Sequence, residues 1–215
     1  MSKSLLLLFC VAISGLTVIL CCASSSIKEP EWVEALEQLG LADRMGDPHS
    51  ELQLLVVTSY ECEPCRETMA LVFPTIRDPL LQGKVHLTVV SILTNTPLHR
   101  AILESKRSAQ QIEPDRLVLL TEYLANDYQA LASNPGVHSD QILENIGLEP
   151  GEEDSGINWA NRIGRSFSVL NQAGINDVPL WFINQKRIKG SPQQVASEVA
   201  HAVAEIESSE GPIQP

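Results

Sequence analysis

The chain has 215 residues, with 27 acidic against 15 basic side chains and a formal net charge of −12. Such a negative balance argues against a nucleic-acid partner, because phosphate binding draws on clustered Lys and Arg. It favours a soluble surface but identifies no substrate.

The N-terminus carries Lys3, an apolar run over residues 5–20, and Cys21-Cys22-Ala23 before a serine cluster. These have the charge, apolar core and small-residue exit of a secretory signal, so cleavage is placed after Ala23. Two other outcomes are lipid attachment at Cys21 or Cys22 and retention of the run as a membrane anchor. Leu20 and Cys21 are poor matches to the small residue that a bacterial lipoprotein signal prefers before its cysteine. Removing residues 1–23 takes Cys10, Cys21 and Cys22 with it and leaves Cys62 and Cys65. A pair two residues apart closes almost no loop and so stabilises little, which favours a redox role in an exported protein. The remaining chain of about 190 residues is long enough for one domain with a real core. It divides into an N-terminal helical segment over residues 24–46, a main domain over residues 47–208 and a flexible tail over residues 209–215.

Within residues 31–45, Trp32, Leu36 and Leu39 share one side of an expected helix, with Pro30 near its start. Packing on the domain is its plain role, and oligomerisation is the alternative. Gly46-Asp47-Pro48 is a turn signal. Residues 52–60 (LQLLVVTSY) form an apolar, β-branched run, the pattern of a strand buried on both faces. Cys62-Glu63-Pro64-Cys65 follows, and residues 66–76 then return to helical spacing, with a bend expected at Pro74. The dithiol therefore sits at a strand-to-helix junction, where unpaired amides and the helix dipole favour a thiolate.

Gly83 marks a break, and residues 85–93 read as a second strand. Helices are expected over residues 101–111, 115–133 and 139–146, then an acidic loop over 147–156 and a helix over 158–173. Val178-Pro179 precedes an apolar strand over residues 180–184, with a hairpin turn at Gln185-Lys186 and a returning strand at 187–190. Ser191 and Pro192 open a last helix with Val195, Val199, Ala202, Val203 and Ile206 on one face.

The entry Gly46-Asp47-Pro48-His49-Ser50, the CxxC at a strand's end, Pro74, the helical insertion and Val178-Pro179 together resemble the DsbA-like thioredoxin-fold oxidoreductases of bacterial envelopes. The resemblance spans roughly residues 46–206. It implies an α/β thioredoxin fold with an all-helical insertion, about residues 95–156, between the βαβ and ββα halves. It further implies Cys62 as nucleophile, Cys65 as resolving thiol, and Pro179 as a cis-proline facing the dithiol, with Val178 offering its backbone to a substrate peptide. Protein thiols and disulfides would be the substrates and a membrane redox partner would recycle the pair, in the periplasm or elsewhere outside the cytoplasmic membrane. No cofactor is called for.

There are departures. The buried acid that many family members carry six residues before the first cysteine is Val56 here, so proton transfer to and from Cys65 would need water or another group. The aromatic that often precedes that cysteine is Glu61, and the intervening dipeptide is Glu63-Pro64, unlike the Pro-His of the oxidants. Negative charge at Glu61 and Glu63 disfavours a Cys62 thiolate. A less stabilised thiolate makes the disulfide less oxidising, so a reductant or weak oxidant is expected, with a strong disulfide donor or an isomerase as alternatives. Two non-enzymatic readings compete: a peptide-binding chaperone using the groove at Pro179, and a zinc module joining the cysteines to two of His49, His86, His99, His138 and His201. Zinc is disfavoured because none of these histidines has a partner at ligand spacing.

Overall fold

The computed structural model describes residues 30–112, 114–134, 138–147 and 158–209, with the side chains of 110–114 left aside. The leader with its three cysteines, the acidic loop beyond Gly147 and the tail after Ser209 lie outside the described residues.

The apolar run after the turn is strand β2 (Leu52–Thr58), and it pairs in parallel with β3 (Val85–Ser91). On one side β3 pairs antiparallel with β1 (Ala42–Gly46); on the other β2 pairs antiparallel with β4 (Leu180–Ile183), which turns into β5 (Lys186–Ile188). The sheet order is β1-β3-β2-β4-β5. Side chains alternate across a strand, and both faces of β2 are covered. Leu55 and Val57 enter one core, whereas Leu52, Leu54 and Val56 enter the other. This is why the strand reads as a continuous apolar run.

One face carries α2 (Glu63–Leu81) and α7 (Pro192–Ser209), with Val72, Phe73, Ile76, Val195, Val199 and Val203 packed on the sheet. The other carries α1 (Glu31–Glu37), α3 (Pro97–Ile112), α4 (Pro114–Ala132), α5 (Ser139–Asn145) and α6 (Trp159–Gln172). Helix α4 also reaches round the β1 edge, placing Leu117 and Val118 in the α2/α7 core.

Three expectations are corrected. The N-terminal helix stops at Glu37 rather than running on to residue 45: Gly40 turns the chain at φ 70°, and residues 42–46 become an edge strand of the sheet. Val33 and Leu36 of α1 are fully buried in the chain's own core. Helix α2 begins at Glu63, not at residue 66, because proline is accommodated in a first helical turn where its missing N–H is not needed. It then runs on past Pro74 and Pro79 to Leu81. The hairpin turn is Asn184-Gln185, one residue earlier than read, with both residues at positive φ as a tight two-residue turn requires.

Candidate active site

Cys62 has extended backbone angles and caps α2, while Cys65 lies one turn inside the helix. The two form a disulfide with a Cα–Cα distance of 5.2 Å. Cys62 is half-buried and Cys65 is 1% exposed, so the first sulfur is the one within a partner's reach. The Cys65 N–H points at Cys62 Sγ (3.2 Å), and the N–H groups of Cys65 and Arg66 also reach the Cys62 carbonyl. The first turn of α2 thus aims an amide at the sulfur that would carry charge after reduction, which is the arrangement that favours a thiolate.

Antiparallel pairing sets Leu180 opposite Val57, so Val178 and Pro179 come just before β4 at the sheet end where β2 leads to Cys62. The Val178-Pro179 bond is cis. Glu63 and Pro64 are exposed on the first turn of α2.

Glu61 is not simply solvated. Its carboxylate is half-exposed, 3.6 Å from His99 Nε2 and 3.4 Å from Thr94 Oγ1. His99 itself is fully buried near the start of α3. Its Nδ1 accepts the Thr94 N–H at 2.8 Å, which places the proton of the neutral ring on Nε2, 2.9 Å from Tyr128 Oη. Burial pushes the His99 imidazole below its ordinary value, and Glu61 and the Thr94 backbone offset part of that. Tyr128 is pushed up to about 12, by burial first and by Glu61 second, with Arg66 opposing. Tyr60 stacks on Tyr128 at 5.9 Å, and the Arg66 guanidinium lies 5.6 Å from the Tyr128 ring centre and donates to the Tyr60 carbonyl.

Below Tyr60, Lys106 of α3 pairs with Asp43 of β1 and donates to Ser91 Oγ of β3 at 2.8 Å. Burial alone would lower the Lys106 pKa, but Asp43, helped by Tyr60, more than offsets it and holds the ammonium above its ordinary value. Val56, in the position of the family's buried acid, is fully buried between Val89 and Trp181. Among the described residues the buried carboxylate is Asp43, across β3 from Val56, and it is paired with Lys106. Among the described residues no cluster of three or more His, Cys, Asp or Glu could hold a metal ion. His49, His138 and His201 are exposed, while His86 and His99 are buried on β3 and α3.

Compared by sequence, the chain matches no family model and no curated protein. Compared by structure, it is similar to a periplasmic thioredoxin-like protein from Salmonella enterica serovar Typhimurium, with a TM-score of 0.55 and 17% identity over 83% of this chain and 98% of that one. It is also similar to oxidised BdbD from Bacillus subtilis (TM-score 0.52, 16% identity, 79% and 94% covered). A third is MdbA from Actinomyces oris, a thiol-disulfide oxidoreductase (TM-score 0.53, 12% identity, 75% and 86% covered). The fold is the DsbA-like thioredoxin fold.

Within that thioredoxin fold, the residues missed from sequence are Thr94, Tyr128 and the Lys106–Asp43 pair, while His99 enters there only as a possible zinc ligand and Arg66 only as a helix residue. They come from four helices and strands and the loops between them. The one available hint was a lysine on the apolar side of α3, between Ile102 and Ala109.

Proposed function

We propose that the protein is a thiol:disulfide oxidoreductase acting on protein substrates through Cys62 and Cys65. The observation that carries this is a half-buried sulfur at the cap of α2, bonded to a buried one and facing a helix amide. Cys62 is the nucleophile: in the reduced protein its thiolate attacks a substrate disulfide, one substrate sulfur leaves as a thiolate, and a mixed disulfide forms. Cys65 resolves it by attacking Cys62 Sγ, which releases the second substrate thiol and leaves the intramolecular disulfide. Oxidation of substrates is the same sequence reversed. Val178 and Pro179 form the edge against which the substrate backbone lies. The nucleophile, the resolving thiol and this edge fit a main domain of about residues 47–208, extended at its start by β1.

Direction follows from charge. Glu61 and Glu63 flank Cys62 and oppose the helix dipole, so the thiolate is less favoured and the pair is reducing or weakly oxidising. The protein acts outside the cytoplasmic membrane, exported by residues 1–23, and a membrane partner returns the dithiol to its working state. No described helix is long and apolar enough to cross a membrane.

The test is equilibration of the pair against glutathione, with titration of Cys62 on the same sample. The expected potential lies at or below about −200 mV, towards the thioredoxin value of about −270 mV, with Cys62 titrating near an ordinary thiol. A value near about −120 mV with a strongly acidic Cys62 would make it a disulfide donor. No exchange at all would end the enzymatic reading.

A further inference from the structure

The segment leading into Cys62 is held by the helical insertion at three points. Tyr60 stacks on Tyr128 of α4, Lys106 of α3 lies 5.4 Å from the Tyr60 ring centre, and Glu61 meets His99 of α3. The last contact joins a half-exposed carboxylate, one residue from Cys62, to an imidazole with no exposure of its own. That imidazole is committed on both nitrogens, to Thr94 at 2.8 Å and to Tyr128 at 2.9 Å, so the ring is fixed towards Glu61 rather than free to turn away.

We propose that Glu61 and His99 form a pH-responsive pair that sets the reactivity of Cys62, so that the insertion tunes the dithiol it covers. The inference deepens the oxidoreductase reading and rests on it. With His99 neutral, the charge of Glu61 stands uncompensated beside the nucleophile and opposes its thiolate. When His99 takes a proton, Nδ1 gives up the Thr94 N–H and donates to the Thr94 carbonyl at 3.2 Å, while Nε2 keeps its proton towards Tyr128, with the imidazolium charge 3.6 Å from Glu61. The pair is then neutral overall, and its opposition to the thiolate is removed.

Burial holds His99 below its ordinary value, so this change falls at lower pH than the titration of a free imidazole. The other groups facing the pair do not compete there. Arg66 of α2 stays cationic, as does Lys106 beyond Tyr60 against Asp43 of β1, and Tyr128 of α4 ionises only near 12. A unit charge about 6–7 Å from a thiolate changes its stability by about threefold at the dielectric of water. His99 and Glu61 are thus positioning residues, acting through the electrostatics at Cys62 and not by touching substrate.

Alkylation of the reduced protein by iodoacetamide from pH 4.5 to 9, with glutathione exchange on the same samples, tests the pair. The wild type should show, besides the Cys62 titration, an acid inflection of about threefold in thiolate stability. Glu61→Gln should lose the inflection and titrate Cys62 at lower pH, and His99→Gln should lose the inflection without that lowering. By proton NMR of the reduced protein, His99 should take its proton less readily in Glu61→Gln than in the wild type, because the carboxylate that favours the charged imidazole is gone. If His99→Gln does not fold, the NMR comparison decides. Superimposable alkylation profiles for wild type and Glu61→Gln, or identical His99 titrations in those two proteins, would overturn the pair while leaving the enzyme reading intact. Absence of glutathione exchange in the wild type would overturn both.

Discussion

Lys106→Met tests whether the helical insertion and the sheet form one cooperative unit. The Lys106 and Asp43 side chains are 4% and 5% exposed, and the ammonium also serves Ser91. Removing the lysine leaves the Asp43 carboxylate buried without its counter-charge. Breaking a buried pair in this way costs about 3–5 kcal/mol, whereas replacing both partners by apolar side chains of similar size is close to neutral. A domain of this size has about 5–15 kcal/mol in total, so the single variant should lose a large fraction of it and about 10 °C in Tm. Urea unfolding followed by tryptophan fluorescence and far-UV circular dichroism would measure it. Asp43→Leu/Lys106→Met should recover most of the loss. In the wild type the pH dependence lies on the alkaline side. Lys106 is raised from 10.5, so its contribution is complete below that value and is lost only as pH rises through the folded pKa. A single variant within about 1 kcal/mol of wild type, or a double variant less stable than the single, would refute the reasoning.

Three further outcomes follow from the geometry. Cys65→Ala should stall at the mixed disulfide with substrate, seen as a mass adduct that Cys62→Ala never forms. Gly46→Ala should cost about 2–4 kcal/mol, because its Cβ would stand 2.1 Å from the Val85 carbonyl oxygen on a backbone at φ 80°; unfolding in denaturant checks it. In an ultraviolet alkaline titration Tyr128 should ionise only near 12, and Tyr128→Phe should remove that last step.

Some of this was legible in the sequence because it depends on local patterns. The apolar run of β2, the turn at Gly46 and the CxxC at a strand-to-helix junction are each carried by neighbouring residues. Helix α2 was read three residues short because Glu63 and Pro64 look like loop, although a first turn tolerates both. β1 was read as helix because the spacing of Trp32, Leu36 and Leu39 continues a 3.6-residue period into Ala42-Asp43-Arg44-Met45, which has no β-branched residue to signal a strand. Antiparallel pairing with β3 overrode that weak local preference.

The sequence by itself determined that a CxxC stands at a strand-to-helix junction and, by resemblance, that the frame is a thioredoxin fold with a helical insertion. It did so because strands, caps and turns are specified within a few residues of each other. Only the tertiary structure decided what surrounds Cys62. Glu61 meets His99 across 38 positions of chain and Asp43 meets Lys106 across 63. No periodicity or spacing links such residues. Their partnership exists because the insertion folds back over the end of the sheet, where burial makes the Asp43 and Lys106 charges costly enough to require each other.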